Sequence, residues 1–87
     1  MGLLELREEI NLIDEEMVKL FIRRQKTAEA IGLEKAESGI EVFDSKREKK
    51  VLERVKALAG SEYEDDIEKL YETLFLLSKN RQKRDQD

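Results

Sequence analysis

An apolar seam at the start of the chain restricts its fold more than any other feature. Leu3, Leu6, Ile10, Ile13, Met17 and Leu20 recur at alternating spacings of three and four. That is a heptad-like stripe along one face of a helix. No proline stands anywhere in the 87 residues, and glycine occurs only four times, so little interrupts it. Helical spacing continues through Ala28 and Ile31 to about Lys35, with Gly32 tolerated inside. The pattern predicts one helix from about Leu3 to Glu37, a rod of about 50 Å. A compact chain of this length has a radius of gyration of only about 12 Å. Two shorter helices cannot cover such a rod, and a second copy of the chain can. The expected fold is therefore all-α, three helices with a long first one, in an intertwined homodimeric bundle. A kink near Gly32 and a monomeric three-helix bundle is the alternative.

The stretch Ser38-Gly39-Ile40-Glu41-Val42-Phe43 breaks the pattern and reads as a short loop. A second helix begins at Asp44 or Ser45 and runs to Ala59, with Ser45-Lys46-Arg47-Glu48 fitting a capping box. Its apolar positions are Val51, Leu52, Val55, Leu58 and Ala59, and Gly60 ends it. Ser61-Glu62-Tyr63-Glu64 fits a second capping box. It predicts a third helix over about 62–83, with a stripe of Tyr63, Ile67, Leu70, Leu74 and Leu77. From about Lys83 the chain is a polar tail, and residues 1–87 read as one domain.

Composition excludes several chemistries. Without Cys or His there is no thiol, disulfide, Cys/His zinc site or imidazole base. Seventeen basic against 21 acidic residues give a net charge of −4, the wrong sign for coating nucleic acid. The longest apolar run, Leu74-Phe75-Leu76-Leu77, is far too short for a membrane span or a signal-peptide core. A soluble, cytoplasmic protein is the expectation.

Charged groups stand on faces that should be apolar. Arg24, Ala28, Ile31 and Lys35 share one stripe of the first helix. Two cations at a helix end are also what snorkelling side chains look like. Asp44, Arg47 and Glu48 lie one and two turns before Val51 and Val55, where capping offers a plainer explanation. Tyr71, Phe75, Ser78 and Gln82 form a stripe that begins aromatic and ends polar, as an edge running out to solvent would. Arg7 flanks the seam 17 residues from Arg24. That separation is about 25 Å along one helix, so only an antiparallel partner could bring its own Arg7 beside Arg24. Taken together the set suits a small polyanion carrying a hydroxyl. Arginines bind carboxylates as planar forks, and acidic groups accept from a hydroxyl.

These residues resemble the all-helical class of chorismate mutase, the AroQ type. The resemblance runs from Leu3 to Gln82. It is carried by Leu3-Leu4-Glu5-Leu6-Arg7-Glu8-Glu9-Ile10, Asp14, Arg23-Arg24 and Ile31-Gly32-Leu33-Glu34-Lys35. Val42-Phe43-Asp44-Ser45-Lys46-Arg47-Glu48 follows, then Ser78 with Gln82 four residues on. The resemblance implies an isomerase that converts chorismate to prephenate on the route to phenylalanine and tyrosine, without a metal or a cofactor, as an intertwined homodimer with two equivalent pockets. It implies that Arg24 and the second copy's Arg7 bind carboxylates, with Arg47 a further cation at the wall. Lys35 and Gln82 would reach the ether oxygen. Glu48 and the backbone near Asp44 would take the hydroxyl, and Ser78 would support a carboxylate contact.

The chain departs from the family pattern at three places. Glu41 stands where many members carry proline, Leu33 where a small or basic residue is common, and Lys79 puts a charge beside the pocket stripe. An inert or designed helical dimerisation module of the same fold is the competing reading. Such a scaffold has no reason to keep Arg24, Lys35, Arg47 and Gln82 together.

Overall fold

The computed structural model describes residues 2–84, which form three helices and no strand. They are α1 (Leu3–Ser38), α2 (Ser45–Ala59) and α3 (Glu64–Arg84). Residues 85–87, the end of the predicted polar tail, lie outside the described residues. α1 passes unbroken through Gly32, which is buried, so the kinked alternative does not hold. The molecule measures 54 × 26 × 14 Å, and its radius of gyration is 16.0 Å. No described helix is long and apolar enough to cross a membrane.

Local chemistry sets the helix ends. α1 stops at Gly39, whose φ of 68° is left-handed and costs glycine little. There the Ile40 N–H donates to Lys35 O at 2.8 Å and the Gly39 N–H to Ala36 O at 3.4 Å, a Schellman arrangement. Asp44 caps α2, its Oδ1 accepting from the Arg47 N–H at 3.0 Å. Ser45 is therefore the first helical residue, not the cap. That shift removes Glu48 from the reciprocal position of a capping box and frees its carboxylate for another partner. α2 ends at Gly60, with φ 84° and ψ 166°, a region essentially reserved for glycine. A turn follows, closed by the Tyr63 N–H on Gly60 O at 3.2 Å. α3 begins only at Glu64, later than the capping-box pattern predicts, and Tyr63 is exposed rather than part of its stripe. Glu64, Asp65 and Asp66 place negative charge in the first turn, where the helix dipole favours it.

α3 is the helix that packs against both others. On its α1 side the Gln25 Nε2 donates to Leu77 O at 3.4 Å, and Arg81 pairs with Glu29 at 3.0 Å. On its α2 side Lys56 meets Glu68 at 3.6 Å. Half-exposed pairs of this kind contribute little individually. Apolar burial is sparse, because Ala28 and Phe75 are the hydrophobic side chains that reach it. The seam residues of α1, from Leu3 to Leu20, stay 47–64% exposed in one chain. The accessible surface is 7262 Å². A compact monomer of this mass exposes about 5,300 Å².

Candidate active site

Helical spacing brings the polar anomalies of all three helices to one place. The inner face of α1, the Val42 segment, the first turns of α2 and the C-terminal half of α3 line a half-open cavity of about 280 Å³. From α1 come Arg24, Thr27, Ala28, Ile31 and Lys35; from α2 with its cap come Asp44, Arg47, Glu48 and Val51. Phe75, Ser78, Lys79 and Gln82 complete the lining from α3. Ala28, 4% exposed, supplies the small residue that leaves room between the two α1 cations.

Burial decides between the readings left open on α3. Ser78 and Gln82 are 9% and 8% exposed, as deep as Phe75 at 9%. The stripe therefore does not run out to solvent. Gln82 Oε1 is sealed off with no hydrogen-bond partner. Arg24 is not a snorkelling end either. Its Nη1 donates to Ser78 Oγ, and its guanidinium carbon lies 5.7 Å from the centre of the Tyr71 ring. Tyr71 in turn meets Phe75 edge-on, with centroids 6.0 Å apart. The side chain is held by a hydroxyl on one side and an aromatic face on the other.

Lys35 donates from Nζ to Val42 O at 2.7 Å, which ties the end of α1 to the connecting loop. An ammonium has three donors, so two remain for the cavity. Asp44 lines the cavity while its Oδ1 caps α2. The Glu48 carboxylate meets Lys79 Nζ at 3.3 Å, so the capping explanation for Glu48 fails. Lys79 neither crowds the site alone nor points away. It lines the wall with its Nζ 4.8 Å from the centre of the Phe43 ring.

Arg7 is the predicted site residue that the fold of one chain leaves out. It sits exposed on α1 and does not line the cavity. Thr27, Val42 and Val51 line it without having been singled out from the sequence. Thr27 had a signal, since it lies three residues after Arg24 and four before Ile31 on the same helical face. Val42 had none short of the loop's path.

Four cations (Arg24, Lys35, Arg47, Lys79) face two carboxylates (Asp44, Glu48), so the cavity carries a local excess of two positive charges in a chain of net charge −4. No cluster of three or more metal-binding carboxylates occurs among the described residues. A second hollow, an apolar groove lined by Met17, Val18, Phe21, Leu70 and Leu74, adjoins the cavity at Arg24.

The family model for chorismate mutase type II matches residues 6–83. No curated protein and no solved structure matches. With the match spanning most of its length, the chain belongs to the chorismate mutase type II family, the AroQ class, and is an isomerase that acts on chorismate.

Proposed function

We propose that the cavity between the three helices is where this chorismate mutase rearranges its substrate to prephenate, and that a second copy of the chain completes it with Arg7. The observation that carries the reading is the convergence of Arg24, Lys35, Arg47, Glu48, Ser78 and Gln82 on one cavity with a positive excess. Chorismate is a dianion with one ring hydroxyl, so it matches that lining in charge and in hydrogen-bonding groups.

The reaction is a Claisen rearrangement, which needs no nucleophile, general base or redox partner. Arg24 and Arg47, with Arg7 of the second copy, hold the carboxylates and so press the enolpyruvyl arm into its compact conformer. Ser78 fixes the Arg24 guanidinium by accepting its N–H. Glu48 and the backbone at Asp44 take the ring hydroxyl. The carbon–oxygen bond breaks ahead of carbon–carbon bond formation, so negative charge grows on the ether oxygen. Lys35 and Gln82 donate there, more strongly in the transition state than in the ground state. Gln82 is neutral, and it donates at any physiological pH.

The homodimer is supported by the exposed seam and by surface area. The chain exposes about 1,900 Å² more than a compact monomer of its mass. Two such chains have about 3,800 Å² to bury, within the range of obligate dimers. In the cytoplasm the enzyme would supply prephenate toward phenylalanine and tyrosine.

A spectrophotometric assay of chorismate disappearance tests the site. The wild-type protein is expected to turn over, and Arg24→Ala and Lys35→Ala are each expected to lose at least about a hundredfold in kcat/KM. Wild-type rates in both variants would place the reaction elsewhere.

A further inference from the structure

We propose that Lys79 is a positioning residue of this site. It is the counter-ion that offsets the charge of Glu48 in a pocket for a dianion and keeps its carboxylate aimed at the cavity. The inference deepens the assignment of the cavity to chorismate and rests on it.

Glu48 poses an electrostatic problem. Its carboxylate shares a small cavity with two substrate carboxylates, and like charges at that range repel each other. The pairing at 3.3 Å with Lys79 Nζ answers it. Both side chains are 26% exposed, so the pair is three-quarters covered and screened less than a surface bridge. The ammonium is also held from a second direction by the Phe43 ring at 4.8 Å. One cation on α3 thereby gathers the first turn of α2 and the loop that precedes it.

Lys79 is one of the four cations of the lining and the one whose ammonium meets the Glu48 carboxylate. Repulsion from an uncompensated Glu48 acts on substrate and transition state alike, because both are dianions. Loss of Lys79 should therefore raise KM and leave kcat nearly unchanged.

The test is a kinetic cycle on the full chain with chorismate, after circular dichroism shows that each variant folds. Lys79→Met keeps the stem against Phe43 and removes the charge. It is expected to raise KM about tenfold with kcat within about threefold, and Lys79→Arg should restore most of the loss. In a Glu48→Gln background the same Lys79→Met change should move KM by less than about twofold, since no charge is left to compensate. Binding of prephenate by calorimetry gives the same cycle should Glu48→Gln turn over too slowly. Lys79→Gln replaces Lys79→Met if the latter does not fold. An active wild type whose KM is unmoved by Lys79→Met overturns the proposal alone. So does an equal rise in both backgrounds, which would mean that Lys79 touches the substrate directly. An inactive wild type overturns the chorismate assignment and this inference together.

Discussion

Gln82 sits where a hydrophobic residue would pack as well, buried and with its Oε1 unpartnered. Gln25 also has a buried, unpartnered Oε1, but Gln82 alone of the two lines the cavity, and that position points to a polar task. Gln82→Met is expected to lower kcat by about 10²- to 10³-fold while the melting temperature holds or rises. Parallel assay and thermal melting check both halves, and loss of stability without loss of rate would make the amide structural. Gln82→Glu adds a pH arm. Its carboxyl can donate only when protonated, so the rate should climb as pH falls toward the ordinary glutamate value of about 4.3. At this scale the sequence was readable wherever helical spacing decides. Arg24 and Lys35 share a stripe, as do Ser78 and Gln82, and those spacings survive folding. Spacing is silent on torsion angles and on loops. That is why spacing leaves the direction of Lys79 and the place of Val42 open, whereas Val51 shares the α2 face of Arg47 and Glu48 and is readable there.

The helices were legible in proportion to how strongly their ends are marked. α1 follows from an uninterrupted seam and from Gly39, where a left-handed residue closes the helix. The start of α3 falls later than the capping-box pattern from Ser61 to Glu64 predicts. Gly60 holds a positive φ, and the Tyr63 N–H goes back to its carbonyl, so the helix starts late. The α2 cap stands closest to function, because Asp44 both caps the helix and lines the cavity. Asp44→Ala should cost about 1 kcal/mol. That corresponds to about 4–8 °C in melting temperature at fixed protein concentration. Asp44→Asn, another good cap, should recover most of it. Gly39→Ala meets no clash in the structure, so its cost is the left-handed backbone alone, about 1 kcal/mol, read from the same melts.

As a whole the chain is long and exposed, which is what supports the proposed dimer. Its surface, its 16.0 Å radius of gyration and the open seam of α1 all exceed what a compact chain of this size would show. Sedimentation at micromolar concentration should return twice the 10.2 kDa chain mass. A fully active monomer would contradict the shared site. Stoichiometry alone would not show that a pocket is built from two chains, but complementation would. Arg7 and Arg24 are about 25 Å apart along α1, so in the proposed dimer each pocket takes Arg24 from one chain and Arg7 from the other. Arg7→Ala and Arg24→Ala homodimers should then each be nearly inactive. Mixed in equal amounts and allowed to exchange subunits, they form heterodimers in which one pocket has lost both arginines and the other has lost neither. Half of all dimers would be mixed, so about a quarter of wild-type activity should return. If each chain used only its own arginines, mixing would restore nothing, because every pocket would still lack one of them.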